Sequence, residues 1–162
     1  MYIASFPKEE RLPWWVMRLL GYFDGAELVG YTDGDRLVGF AYAVGYRDIY
    51  YVMFLCVDKD MQGRGYGSQI LGLMRRENPK RKILLNVELL DQNASNYEDR
   101  VRRVKFYEKN GFFDTGYNID EVGGTFRIMA TSPEIDAEAY VSVFRHISFG
   151  MWRPPVVKAE NR

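Results

Sequence analysis

The chain has few of the residues from which disulfides and metal sites are built. Its 162 residues include a single cysteine, Cys56, and a single histidine, His146. One cysteine cannot form an internal disulfide, and one histidine cannot supply a histidine-rich metal site. We therefore expect no metal, and the cytoplasm is the expected compartment because proteins kept there rarely rely on disulfides.

Long apolar runs and an excess of one charge are also missing. No stretch approaches the roughly 20 apolar residues that cross a bilayer, so no membrane partner is expected. The first residues lack the basic and apolar segments of a signal peptide. Twenty-two basic residues balance 22 acidic ones, whereas proteins that bind nucleic acid usually carry a basic surplus. Nucleic acid is therefore not an expected partner either.

What remains is the composition of one folded domain. Hydrophobic residues make up 47% and charged residues 27% of the chain, close to the average of globular proteins. A chain of this length fits one domain, which we predict over residues 1–150, followed by an irregular tail over 151–162. Aromatic residues make up 15%. They suit a wide core, a lined cleft or a dimer face, so a homodimer is left open.

Hydrophobic periodicity predicts alternating helices and strands. The predicted helices cover 8–20, the segment from about 66 to the proline at 79, the segment from 95 to 111, and 133–146. The predicted strands cover 27–32, 36–44, 50–57, 83–90, 112–118 and 125–130. The pair of strands around Asp33-Gly34-Asp35 is typical of a hairpin, and Ser95-Asn96-Tyr97-Glu98 matches a capping box at a helix start. This order predicts an α/β fold built in layers.

The connection from the strand at 50–57 to the next helix has the composition of an anion-binding loop. Glycines at positions 63, 65 and 67 allow backbone conformations that other residues avoid, and they let a ligand approach the main chain. Unpaired amides at a helix start attract an anion. A phosphate or pyrophosphate is the expected ligand, with Arg64 and Ser68 adding a charge and a hydroxyl. The alternative is that the glycines serve only to turn the chain.

Two motifs, in this order, carry a family resemblance. Gln62-x-x-Gly65-x-Gly67, after a strand that ends in Leu55-Cys56-Val57, resembles motif A of the GNAT superfamily of acyl-CoA-dependent N-acyltransferases. The later segment Phe106-Tyr107-Glu108-Lys109-Asn110-Gly111-Phe112 is similar to the end of that family's motif B. The resemblance covers roughly residues 27–131. It implies a mixed, mostly antiparallel central sheet flanked by helices.

The resemblance also implies where acetyl-CoA, the co-substrate, would bind. Its pyrophosphate would lie on the amides of the glycine loop, and its pantetheine would pair with the strand edge at Leu55 and Val57. The implied cofactor-binding residues are Leu55, Cys56, Val57, Gln62, Gly63, Arg64, Gly65, Tyr66, Gly67, Ser68, Phe106 and Tyr107. Cys56 alternates with its neighbours in a buried strand and is also expected in the core. Arg100 stands where family members often carry asparagine.

The activity implied by the resemblance is transfer of an acetyl group to a primary amine of a small molecule or peptide, by direct attack in a ternary complex. This reaction needs a donor to the oxyanion and a donor to the departing thiolate. The Val57 amide suits the first task, and Tyr107 stands at the family's general-acid position. A tyrosine pKa of about 10 exceeds a thiol pKa of about 8.5, which favours a hydrogen bond to sulfur over full proton transfer.

Two carboxylates are candidates for the base that frees the amine. Glu88 lies inside a predicted strand beside Asn86, and acts through water or else pairs with an arginine. Glu10 is either a base on the acceptor side or part of a solvated helix face. Two other functions remain open: a non-catalytic module that senses acyl-CoA, and a protein that binds another phosphate ligand on the same loop.

Overall fold

The computed structural model describes residues 24–121 and 123–159, which contain seven strands and three α-helices. The strands β1 to β7 are Ala26–Asp33, Arg36–Tyr46, Ile49–Val57, Lys82–Glu88, Phe113–Glu121, Gly124–Ala130 and Val156–Lys158. The helices α1 to α3 are Tyr66–Glu77, Tyr97–Lys109 and Ala137–Ile147. This order confirms the predicted α/β fold. The predicted helix over 8–20, and Glu10 with it, lies outside the described residues.

The chain divides into two compact units, of which the first ends at Arg81 and the second begins at Lys82. In the first unit β1, β2 and β3 lie side by side in that order, and both pairs are antiparallel. Asp33 pairs with Arg36 across the β1–β2 turn, and Gly34 takes a φ of 56° there, a conformation that glycine adopts without steric cost. The predicted hairpin at this point is confirmed.

Helix α1 packs against β2 and β3. It buries Ile70, Leu71 and Met74, whose spacing places them on one helical face. A glycine in β2 makes this packing possible, since a Cβ atom added to Gly39 would lie 2.6 Å from the Cys56 carbonyl oxygen and 3.0 Å from Ile70 Cδ1. The apolar face of α1 and the absence of a side chain at position 39 together allow the helix to pack closely on these strands.

The second unit contains a sheet with the strand order β4-β6-β5-β7, in which every pair is antiparallel. Helix α2 contacts β4. The core of this unit includes fully buried side chains from three strands and from α3: Leu84, Ile119, Ile128, Met129, Tyr140 and Phe144. Within the described ranges, no helix is both long and apolar enough to cross a membrane.

Three details of the second unit differ from the predictions. The capping box does not form, since the N-cap of α2 is Asn96 and its side chain makes no capping bond. Helix α3 begins later than residue 133 because the Asp136 carboxylate accepts a hydrogen bond from the Glu138 amide and caps it there. Inside the predicted irregular tail, residues 156–158 form β7 by pairing with β5. The extent of a single domain stays a prediction.

Candidate functional site

The end of β3 presents two backbone amides on the edge that faces away from β2. The Asp58 amide donates a hydrogen bond to the Val38 carbonyl over 2.8 Å, and Val57 lies opposite Gly39. In an antiparallel pair, alternate residues direct their amides at the partner strand. The amides of Leu55 and Val57 therefore point away from β2. These are the amides predicted to pair with pantetheine and to bind the oxyanion.

The loop after β3 is tied to the strand end by its own side chains. Gln62 donates a hydrogen bond from Nε2 to the Val57 carbonyl over 3.2 Å. Between them, the Asp58 carboxylate accepts a hydrogen bond from the Asp60 amide, at the start of a short 3₁₀ turn that buries Met61. The glutamine of the first motif thus holds the loop against the strand, in addition to its predicted place at the pyrophosphate.

Two of the three loop glycines adopt conformations that favour glycine. Gly63 has a φ of 74° and Gly65 a φ of 87°, both in the left-handed region. Gly65 immediately precedes α1 and Gly67 lies in the first helical turn. The first hydrogen bond of the helix runs from the Gln69 amide to the Gly65 carbonyl over 3.1 Å. The glycines therefore turn the chain so that α1 begins with its amides unobstructed by side chains.

The loop and the start of α1 form a row of available hydrogen-bond donors. Among the hydrogen bonds of the described residues, none uses the amides of residues 63–68. Unpaired amides at a helix start, together with the helix dipole, favour an anion. Arg64 is exposed beside this row. The arrangement suits a phosphate or pyrophosphate group.

Acidic residues close to the loop are offset by an arginine. The Arg36 guanidinium lies 3.8 Å from the Asp58 carboxylate and 3.7 Å from the Asp60 carboxylate. The Tyr66 hydroxyl donates a hydrogen bond to Asp33 over 2.5 Å. Each of these exposed contacts contributes little stability, but Arg36 reduces the repulsion that two carboxylates would exert on a bound anion.

Cys56 and Ser68 take different positions in this region. Cys56 is 4% exposed and belongs to the core, as its alternation with Leu55 and Val57 indicates. Ser68 is half-buried in the first turn of α1. The hydroxyl predicted to assist an anion thus lies in the same helical turn as the available amides.

The predicted sulfur donor lies on α2, in the second unit. Tyr107 is half-buried, and its ring packs edge-on against Phe106 at 5.2 Å and Phe112 at 5.6 Å between centroids. Burial raises the pKa of the Tyr107 hydroxyl, and the nearby Arg103 charge lowers it by less. The hydroxyl therefore keeps its proton at neutral pH, as a hydrogen-bond donor must.

Glu88 is held by the first turns of α2. Its carboxylate accepts a hydrogen bond from Asn96 Nδ2 over 2.9 Å and forms ion pairs with Arg100 at 3.3 Å and Arg103 at 2.5 Å. The Glu88 side chain is only 13% exposed. Of the two alternatives predicted for Glu88, the structure shows the pairing with arginine. The Glu88 carboxylate is therefore held by three side chains of the α2 segment.

Arg100, which stands at the family's asparagine position, is part of the same cluster. Its guanidinium donates hydrogen bonds to Asn96 Oδ1 over 2.8 Å and to the Leu89 carbonyl over 2.7 Å. These contacts join the start of α2 to the end of β4. The arginine at position 100 therefore makes its own hydrogen bonds, to Asn96 and to the Leu89 carbonyl.

A second cluster of polar side chains in this unit is not predicted by any sequence motif. Asn86, Glu121 and Tyr140 are joined by hydrogen bonds, although they belong to β4, β5 and α3. Asn86 attracts notice only as the neighbour of Glu88 in the strand pattern, and the other two belong to no motif. In the part of the chain that the structure describes, no group of three or more His, Cys, Asp or Glu side chains is arranged to hold a metal ion.

Comparison with protein-family models gives a match to part of the chain. Residues 24–113, more than half of the chain, match the model described as the acetyltransferase (GNAT) domain. This range includes β1 to β4, the glycine loop and all of α2. No curated protein matches the chain by sequence.

Solved structures with this fold include several acetyltransferases. A GNAT-family protein from Bacteroides thetaiotaomicron, assigned as an acetyltransferase, matches with a TM-score of 0.69 and 25% identity over 93% of this chain and 88% of that one. The ribosomal-protein-S18-alanine N-acetyltransferase of Escherichia coli matches with a TM-score of 0.56 and 21% identity over 83% and 94%. A GNAT family acetyltransferase from Elizabethkingia anophelis with acetyl-CoA bound matches with a TM-score of 0.56 and 16% identity over 82% and 88%.

Proposed function

The chain belongs to the GNAT acetyltransferase family, and from that premise we propose that it transfers an acetyl group from acetyl-CoA to a primary amine of a small molecule or peptide. One observation above all supports this proposal. The amides of residues 63–68 form an unpaired row at the start of α1, in the segment where the GNAT motif holds the pyrophosphate of the co-substrate.

The binding of acetyl-CoA is proposed along the strand and loop of the first unit. The pyrophosphate accepts hydrogen bonds from the amides of residues 63–68, with Arg64 close by. The pantetheine extends along the edge of β3 that faces away from β2, where the Leu55 and Val57 amides point. A ligand bound in this way adds hydrogen bonds as an extra strand would.

The proposed reaction is direct attack of the amine on the thioester. The amine nitrogen forms a bond to the carbonyl carbon, the carbon–sulfur bond breaks, and the amine loses a proton while the thiolate gains one. The Val57 amide is assigned to the oxyanion, a type of contact whose loss typically slows acyl transfer by about 10²–10³. Tyr107 is assigned a hydrogen bond to the departing sulfur.

Of the two predicted bases, Glu88 lies among the described residues and Glu10 does not. We assign Glu88 the task of holding α2, because its carboxylate is bound by Arg100 and Arg103. Glu10 stays a predicted base among residues that the structure does not describe. An amine that is partly neutral at the working pH needs no dedicated base.

The acceptor is proposed at the level of a chemical class. The Escherichia coli relative is named for the acetylation of an alanine of a ribosomal protein, so a peptide amine falls within the chemistry of this fold. The balanced charge of the chain gives no overall attraction to a strongly basic or acidic acceptor. The cytoplasm and a homodimer also stay predictions.

Calorimetry and thiol release test the proposal together. We expect the protein to bind coenzyme A, with a larger thermal shift than ATP or NAD produces, and to release free thiol from acetyl-CoA when a suitable amine is added. A panel of a peptide with a free N-terminus, spermidine, kanamycin and benzylamine covers the main acceptor types. Absence of coenzyme A binding would overturn the proposal. Binding without amine-dependent thiol release would favour the non-catalytic acyl-CoA module.

A further inference from the structure

Three side chains of the second unit form a directed chain of hydrogen bonds. Tyr140, which is fully buried on α3, donates its hydroxyl proton to Asn86 Oδ1 over 2.9 Å. Asn86, on β4, donates from Nδ2 to Glu121 Oε1 over 2.5 Å. Because each bond polarises the next, donation by the tyrosine strengthens the amide as a donor to the carboxylate. The Glu121 carboxylate accepts the second of these two bonds.

The register shows that this contact bends the β5–β6 hairpin. Asn86 lies opposite Ile128 and Glu121 opposite Gly124, so the two residues are two strands and four residue positions apart. A flat sheet would place their Cα atoms roughly 16 Å apart. The two side chains joined by a hydrogen bond reach at most about 11 Å. The end of the hairpin therefore curves over the sheet face that carries Asn86.

The curvature brings a carboxylate to the part of the sheet next to α2. Asn86 precedes Glu88 by two positions, so both side chains leave the same face of β4. Glu88 in turn binds Asn96, Arg100 and Arg103 of the α2 segment. Helix α2 also carries Tyr107, the proposed donor to sulfur. The Glu121 carboxylate is therefore oriented over the strand to which the helix of Tyr107 is attached.

Packing alone does not require this arrangement. Buried polar groups reduce stability unless they are hydrogen-bonded, and apolar side chains would fill the same space without that cost. Here a tyrosine, an amide and a carboxylate from three elements are arranged so that the carboxylate has one fixed orientation. A fixed carboxylate attracts a protonated amine, which is the form that most primary amines take at neutral pH.

We propose that Glu121 binds the ammonium group of the acceptor and thereby selects cationic acceptors, with Asn86 and Tyr140 as positioning residues. The inference rests on the proposed function, because it assumes that the acceptor is an amine. It assigns binding to Glu121 and no bond-making step, because the bound ammonium has to release its proton to water before its nitrogen can attack the thioester.

The decisive variant is Glu121→Gln, which keeps the shape of the side chain and removes its charge. With the amine of the panel that the wild type acetylates fastest, we expect KM for the amine to rise about ten- to hundredfold, the range of a lost charge-assisted hydrogen bond. The Kd of coenzyme A and the melting temperature should stay close to those of the wild type. Calorimetry with the trimethylammonium analogue of the same amine, which carries the charge but has no N–H donor and cannot be acetylated, should show a smaller loss of affinity in the same direction.

Asp120→Asn is the matched control, since Asp120 is the exposed neighbour of Glu121 on β5 and its carboxylate accepts a hydrogen bond from the Thr125 hydroxyl across the hairpin. We expect it to leave KM for the amine within about twofold of the wild type, because it keeps the network intact. Tyr140→Phe should raise that KM in the same direction as Glu121→Gln but by less, with the KM of acetyl-CoA unchanged.

The outcomes separate this inference from the function it rests on. Wild-type turnover combined with an unchanged amine KM in Glu121→Gln would overturn the inference alone. A Glu121→Gln variant with a lower coenzyme A affinity and a lower melting temperature would also overturn it, because that result would show that Glu121 only stabilises the hairpin. Absence of turnover with every amine in the wild type would overturn the proposed function, and the inference with it.

Discussion

A tyrosine hydroxyl donates to a departing thiolate only while it keeps its proton. Tyr107 satisfies this condition, because burial raises the pKa of its hydroxyl above the ordinary value and the Arg103 charge only partly opposes that effect. The ring contacts with Phe106 and Phe112 hold the side chain without using its hydroxyl. The packing and the proposed chemistry at this residue are therefore separable by substitution.

Tyr107→Phe keeps the aromatic contacts and removes the donor. We expect kcat to fall by about 10², the lower range for a positioned acid, while calorimetry gives a Kd for coenzyme A within about threefold of the wild type. In the wild type, kcat should show no loss from tyrosine ionisation below about pH 10. An unchanged kcat in the variant would remove Tyr107 from the mechanism.

Glu88 offers a second test at a single residue. Because its carboxylate is 13% exposed and paired with two arginines of α2, Glu88→Gln should lower the free energy of unfolding by about 1–3 kcal/mol. Urea unfolding measures this change, and Glu108→Gln, at an exposed position of α2, serves as the control. A base would behave differently: stability would be kept, and the acidic limb of the kcat profile against pH would disappear.

The sequence reveals those site residues whose role is local. The glycine loop is visible because Gly63 and Gly65 are required by their own backbone conformations, and Tyr107 is visible because it belongs to a contiguous motif. The set of Asn86, Glu121 and Tyr140 is not visible, since its members are distant in the chain and meet only through the curvature of a hairpin. No short window of sequence contains that curvature.

At the scale of elements, one glycine before helix α1 and one glycine inside it have opposite consequences. Gly65 precedes the helix with a φ of 87°, where a side chain costs about 1 kcal/mol. Gly72 lies inside the helix, and a Cβ atom there would meet no other atom within 4 Å. The first glycine shapes the proposed anion site, and the second only adds flexibility to the unfolded chain.

We expect these two substitutions to shift properties in opposite directions. Gly65→Ala should lower the free energy of unfolding and weaken coenzyme A binding at least about tenfold, because the amide row is displaced. Gly72→Ala should raise the free energy of unfolding by about 0.5–1 kcal/mol and leave binding unchanged. Urea unfolding and calorimetry measure both. Equal coenzyme A affinity in the two variants would contradict the assignment of the loop to the pyrophosphate.

Element positions are predictable where hydrophobic periodicity is strong, and the failures have identifiable physical causes. The predicted strands at 27–32, 36–44 and 50–57 match β1 to β3 within a few residues. The capping box fails because Asn96 uses its side chain to bind Glu88 and Arg100 instead. Strand β7 has three residues, too few to show a period, and forms only because β5 presents an edge.

At the scale of the whole molecule, buried tyrosines determine how the protein responds to alkali. Burial raises the pKa of Tyr42, which is fully buried, to about 12. Tyr50 is shifted in the same direction by burial and by its hydrogen bond to Glu27. The Tyr42 hydroxyl, moreover, has no hydrogen-bond partner in the described part of the chain. This hydroxyl costs stability at every pH, and most at high pH.

The direction in which stability changes with pH follows from the protonation of Tyr42 in the folded and the unfolded chain. Below pH 10, Tyr42 is protonated in both the folded and the unfolded chain, so it makes no contribution to the pH dependence. Between about pH 10 and 12 the unfolded chain releases the proton and the folded chain does not, so stability falls by up to about 1.4 kcal/mol per pH unit from this residue.

Tyr42→Phe should remove that contribution, giving a shallower loss of stability above pH 10. At pH 7 the variant should be as stable as the wild type or more stable by about 1 kcal/mol, because a buried hydroxyl without a partner is gone. Urea unfolding at pH 7, 10 and 11 measures both effects. Parallel curves for the two proteins between pH 10 and 11 would show that Tyr42 ionises as readily in the folded chain as in the unfolded one.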